Sequence, residues 1–209
     1  MAWPSCSNNC QLAAFILATV GWVLASTCMG LSEWRVWRTE SLPFSPSSVV
    51  CVGMWKMSDT NRVEYCQHYS YRDIYLPLDV RVSQYLLLVA SILGLLERAS
   101  VIFALRNLYI GSLPKEATVG PFIASGILNI TAGVCVSIAV AWNYHPVTNK
   151  EGIAFPPSLC IPFKPETQVV GSTVLVACLG AVLMLWSGLV FISYRHPNAH
   201  LVCPQASEV

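Results

Sequence analysis

Four apolar stretches without net charge alternate with polar ones along the chain, and their lengths predict helices that cross a membrane. Residues 12–31 form an apolar run, and no charged side chain precedes Glu33. At about 1.5 Å per residue, a helix of that length covers the roughly 30 Å of hydrocarbon in a bilayer. Further runs cover 82–105, 120–142 and about 168–194. A cleaved signal peptide would want Lys or Arg ahead of a shorter apolar core; neither is present, so the first run is read as a retained span. Small residues punctuate the later runs (Gly126, Ala132, Gly133, Gly171, Gly180, Gly188) and predict close helix packing, chiefly within one bundle.

Between the spans lie loops at 32–81, 106–119 and 143–167, and an even number of spans puts both termini on one side. Basic residues do not say which side. The two larger loops hold Arg35, Arg38, Lys56, Arg62, Arg72, Arg81, Lys150 and Lys164, against Arg106, Lys115 and Arg195 in the short loop and tail. That distribution runs opposite to what termini on the inside would give. The long loop reads as sheet. Residues 49–55 and 63–69 are β-branched and aromatic, and Asp59-Thr60-Asn61-Arg62 between them has turn chemistry. A small antiparallel sheet on the mouth of a helical bundle is expected. The third loop, with Pro156, Pro157, Pro162 and Pro165, is expected to be extended.

Composition agrees with the membrane reading: 55% of residues are hydrophobic and 11% charged. Soluble domains run at about 25% charged. Twelve basic against eleven acidic side chains exclude a nucleic-acid binder, and nine cysteines without a CxxC pair argue against a zinc site or a dense disulfide framework. No phosphate loop, carboxylate pair or Ser/His/Asp set stands out, so no enzyme, metal or cofactor is expected. His196, His200 and Cys203 read as a solvated tail, and the acceptor pattern Asn129-Ile130-Thr131 lies mid-span. Inside the spans, Glu97 lies eight residues from Leu105 and Asn129 nine from Gly120, roughly 12 and 13.5 Å along their helices. Matched depth predicts a Glu97–Asn129 hydrogen bond of about 1 kcal/mol. The alternative is a protonated Glu97 with Arg98 snorkelling to the surface. The last residues, Ser207-Glu208-Val209, suit capture by a PDZ groove.

The first loop resembles the claudins, the four-span proteins of tight junctions. Trp34-Arg35-Val36 looks like the family's first tryptophan, and Gly53-Met54-Trp55 like its Gly-Leu-Trp, with Trp55 following Trp34 at the family's spacing. Leu76-Pro77-Leu78-Asp79, Ala141-Trp142 and the stretch from Phe155-Pro156-Pro157 to Gly171 are similar in kind. The resemblance covers about residues 10–195 and is that of a divergent member. It implies one claudin-like domain over 1–209, a four-helix membrane bundle under a small extracellular antiparallel sheet. Both termini, including the tail 195–209, would be cytoplasmic. It also implies a plasma-membrane protein of cell–cell contacts that forms a paracellular barrier. Its partners would be other claudin-like chains, in the same membrane and across the gap as homo- or hetero-oligomers, with a PDZ scaffold at the C-terminus. The alternative is an auxiliary subunit of a channel or receptor, though such subunits tend to have longer tails and glycosylated outer loops.

Two positions depart from the family. Its first cysteine falls on Ser58, and Cys66 holds the second. The family register sets Ser58 opposite Cys66 and leaves Cys66 unpaired, with Cys51 seven residues along the strand, roughly 23 Å away and out of disulfide reach. A rival register sets Cys51 opposite Cys66. The first keeps the hairpin pattern intact and is preferred, so the Cys51–Cys66 bridge is disfavoured. Gln84 stands where the family usually has an arginine at the outer end of the second span; Arg81, three residues earlier on the same helix face, is the expected substitute.

Overall fold

The computed structural model describes residues 8–39, 48–59, 65–68, 76–111, 118–149, 151–153 and 166–194. Among these, four helices are long and apolar enough to cross a membrane: α1 (Asn8–Gly30), α2 (Leu78–Ile110), α3 (Val119–Thr148) and α4 (Ser172–Ile192). Strands β1 (Arg35–Thr39), β2 (Ser48–Val52), β3 (Lys56–Asp59) and β4 (Tyr65–His68) lie between α1 and α2, and β5 (Thr167–Val170) between α3 and α4. α3 sits between α2 and α4, and α1 closes the ring against α4 and, more loosely, α2.

The bundle is built for hydrocarbon. Its interior is largely small or polar (Ala18, Ser83, Ala90, Ser125, Ala132, Ala177, Ser187), while Ile16, Ile92, Leu95, Ile127, Leu179 and Val182 point outward. Lipid tails are as apolar as leucine, so burying leucine brings the helices little; close backbone approach and interhelical hydrogen bonds hold them together. Gly126 of α3 and Gly188 of α4 show this. A Cβ on Gly126 would lie 2.8 Å from the Gly188 carbonyl oxygen, and one on Gly188 would lie 3.0 Å from that of Gly126. These glycines serve contacts within one chain.

α2 and α3 outrun the apolar stretches that announced them, at 33 and 30 residues. Gly111, at φ 71°, ends α2 in the left-handed region and donates its N–H to the Asn107 carbonyl at 3.0 Å. The fourth span is shorter than expected: α4 begins at Ser172, and 168–170 are strand. The break is made at Gly171. Its N–H reaches the Trp34 carbonyl at 3.0 Å, and a Cβ there would run into the Glu33 carbonyl.

All five strands form one antiparallel sheet in the order β4-β3-β2-β1-β5. The expected small antiparallel sheet is present, with more strands than the stretches 49–55 and 63–69 alone supply. The chain turns at Gly53, whose N–H binds the Lys56 carbonyl at 3.0 Å, so 49–55 holds one strand and a corner. β1 and β5 complete the sheet, β5 coming from the second loop. The expected turn at 60–62 and the proline-rich stretch 156–165 lie outside the described residues.

The register sets Ser58 opposite Cys66 on β4 and opposite Cys51 on β2. Cys51 is therefore not displaced from Cys66 along a strand. It lies two strands across, about 10 Å at the spacing of roughly 4.8 Å per strand. The linear distance misled because two hairpins, not one, separate the cysteines. Two strand spacings still exceed disulfide reach, and Cys51 is a free thiol. Burial, and then the negative charge of Glu33, push that thiol's pKa up, which keeps it protonated and slow to react.

Two outcomes follow from these contacts. Gly171→Ala should lower stability in a detergent melt by about 1–3 kcal/mol, because the overlap is with backbone; Gly30→Ala, whose Cβ would meet nothing within 4 Å, should be near neutral. Ser58→Cys in a Cys51→Ala background should bridge to Cys66, seen as loss of both thiols to labelling and a stabilisation of about 2–4 kcal/mol. Two freely labelled thiols would refute the register.

Candidate functional site

The residues that carried the resemblance lie where the sheet stands on the bundle. Trp34 is 1% exposed, and its indole N–H donates to the Cys28 carbonyl at 2.9 Å. That carbonyl belongs to the last turn of α1, where helix carbonyls lack intrahelical partners, so Trp34 finishes the helix as it starts the sheet. Gly53 packs against the same exit: a Cβ on it would lie 2.6 Å from the Leu31 carbonyl oxygen and from the Ser32 Cα. Met54 is fully buried and Trp55 half-buried. The Met54 carbonyl accepts a hydrogen bond from Gln84 Nε2 at 2.6 Å.

Gln84 therefore makes the sheet-to-helix contact itself, from a position 2% exposed. The expected replacement by Arg81 is not needed for that contact. An amide is long enough to reach the corner, and it brings no charge into a buried site.

The centre of the junction is a residue that the sequence reading passed over. Arg35 is 1% exposed on β1. Its guanidinium pairs with Asp79 in the first turn of α2 and donates to Asn143 Oδ1 on α3 at 2.9 Å. Asn143 Nδ2 in turn donates to Ser83 Oγ at 2.7 Å and to the Ala139 carbonyl at 3.0 Å, and Ser83 Oγ to the Asp79 carbonyl at 2.8 Å. One strand and two helices share this network. The available signal was alternation: Arg35 and Trp37 share a face, and Trp37 is fully buried.

The expected Glu97–Asn129 pair does not form. Asn129 Nδ2 donates to α4 instead, to the Met184 carbonyl at 3.0 Å and Ser187 Oγ at 2.7 Å. Depth was matched but azimuth was not. Asn129 shares its helix face with Gly126 and Gly133, and that face lies on α4. Glu97 pairs with Arg98, and Arg98 does not snorkel. It is 7% exposed, donates to the Gly94 carbonyl at 2.9 Å and to the Ala18 carbonyl, and lies 5.2 Å from the Trp22 ring centroid.

Signature positions Trp34, Gly53, Met54 and Trp55 are thus brought together. Cys66 is placed by its backbone on β4, and the tail with Ser207 and Val209 lies outside the described residues.

No family model matches the chain. Among curated proteins it is similar to claudin-18 of Homo sapiens, 27% identical over 139 residues that cover 65% of this chain and 52% of that protein. It is also similar to claudin-4 of Chlorocebus aethiops, 23% identical over 145 residues and 68% of each chain. Claudin-7 of Homo sapiens is 20% identical over 181 residues, 85% of each chain. The chain spans about half the length of the claudin-18 relatives it matches. Four membrane-length helices beneath a small antiparallel sheet, with claudins as relatives over most of the chain, give this protein a claudin-like fold.

Proposed function

We propose that this chain is a divergent claudin, similar in kind to claudin-34, that works by contact and not by catalysis at tight junctions of the plasma membrane. The observation that carries the reading is the union of the two loops on the sheet side. β5 of the second loop pairs with β1 of the first from Arg35↔Val170 to Arg38↔Thr167. Both loops therefore present one surface. One face of that sheet is packed onto the bundle through Trp37, Val50, Val52 and Met57, and the opposite face exposes Arg38, His68, Thr167 and Val169.

A surface held in this way suits recognition of a second surface. Other claudin-like chains are the partners, side by side in one membrane and across the gap between cells, as homo- or hetero-oligomers. A PDZ scaffold would take the Ser207-Glu208-Val209 end from the cytoplasmic side. A barrier is favoured over a selective pore because charge in 32–81 is balanced: Arg35, Arg38, Lys56, Arg62, Arg72 and Arg81 against Glu33, Glu40, Asp59, Glu64, Asp73 and Asp79. A strong field of one sign, which would select ions by attraction, has no basis there.

Expressed in cells that lack junctional strands, the chain should concentrate at cell–cell contacts and raise transepithelial resistance. Enrichment with unchanged resistance would keep adhesion and remove the barrier. Diffuse surface staining would overturn the junctional reading in favour of an auxiliary subunit.

A further inference from the structure

A groove of about 660 Å³ opens where the first turn of α2 meets the last turns of α3. That volume lies within the roughly 300–1,000 Å³ typical of small-molecule sites. Its walls include Leu78, Ile138 and Trp142, which are 72%, 40% and 47% exposed, and its polar groups include Asp79 and Glu151. Exposed apolar side chains on membrane-crossing helices face lipid. Trp142 belongs to an exposed aromatic set on the sheet side, with Tyr85 and Tyr144, and such sets mark the headgroup level of a bilayer. The groove thus has hydrocarbon below it and water above.

We infer that this groove holds the headgroup of a choline phospholipid from the leaflet on the sheet side. Charge complementarity selects the headgroup. Among the described residues no lysine or arginine lines the groove, and Asp79 is already committed to Arg35 behind it. Glu151 is left at the opening, its side chain 55% exposed and 4.0 Å from His145. A groove lined by an aromatic ring and a carboxylate has the chemistry that takes a quaternary ammonium, which donates no hydrogen bonds and asks only for negative potential and apolar contact. Ile138, one helical turn below Trp142, continues the groove towards the depth where an acyl chain lies. The inference rests on membrane crossing and not on the junctional reading.

The test uses the full chain in detergent, given equal amounts of phosphatidylcholine, phosphatidylethanolamine and phosphatidylglycerol with the same acyl chains, and native mass spectrometry to read what stays bound. Phosphatidylcholine should be retained preferentially. Trp142→Leu and Glu151→Gln should each reduce that retention roughly two- to fivefold. Trp186→Leu should leave it unchanged: Trp186 is 63% exposed and sits in the last third of α4, towards the membrane face opposite the sheet. All three side chains are exposed, so the variants should elute as the parent does. Equal retention of the three lipids, or retention indifferent to Trp142 and Glu151, would overturn the inference. So would Ala141→Cys cross-linking to a second copy without any lipid preference, which would make that copy the occupant.

Discussion

A guanidinium held out of water ties the outer layer of this molecule to its membrane part. Arg35 sits on β1, flanked in register by Val52 on β2 and Val170 on β5. The residues that follow those two, Gly53 and Gly171, are where a Cβ would strike the chain leaving α1, at Leu31, Ser32 and Glu33. The row through Arg35 is therefore the base of the sheet, pressed onto the helix ends. A buried ion pair is weak support for net stability, since desolvation offsets its attraction, but removing one partner costs about 3–5 kcal/mol. Its effect here is on placement. A charge in this position needs both Asp79 and Asn143, so β1 is set against one turn of α2 and one of α3.

The same solution recurs deeper, in a harsher solvent. Arg98 would be costly alone in hydrocarbon. It has Glu97 beside it, two backbone carbonyls to receive its N–H groups and the Trp22 face to lie over. Gly94 supplies the room, because any side chain there would collide with the Trp22 indole, whose N–H is held by the Ser91 carbonyl at 3.0 Å. Charge is neutralised locally in both places, and polar contacts are placed where helices already approach closely. Lipid offers no alternative partner, so the partners that these charges have come from within the bundle.

The helices were legible because charge is so costly in hydrocarbon that its scarcity marks each span, the adjacent Glu97-Arg98 in the second being the one interruption. The Trp34 and Gly53-Met54-Trp55 corner was legible because its residue types recur in a known family. What escaped the sequence was lateral. β5 could not be seen because TQVV is short and adjoins a long apolar helix, so 168–170 read as the start of the span. Cys51 was misplaced because distance was reckoned along a strand, while the chain doubles back at Gly53. Asn129 was given the wrong helix because depth follows from counting residues, whereas azimuth depends on which face the glycines open. Arg35 was named only as a loop cation and a neighbour of Trp34. A charged side chain on a strand reads as solvated until its partners, 44 and 108 residues away, are folded against it.

These contacts also explain how the sheet persists with Ser58 in place of a cysteine. A bridge between β3 and β4 would restrain the strand pair farthest from β1 and β5. The base does not depend on it. Trp34 and the two close-packed glycines join that row to the end of α1 and the chain leaving it, Gln84 joins it to α2, and Arg35 to α2 and α3. Restraint is therefore strongest at β1, where both loops meet, and declines across β2 and β3 towards the edge. Local stability follows buried contacts and protected hydrogen bonds, so an edge strand without a covalent tie to β3 should open before the row at Arg35. Losing the bridge loosens the edge of the surface and leaves the joint between the two loops in place.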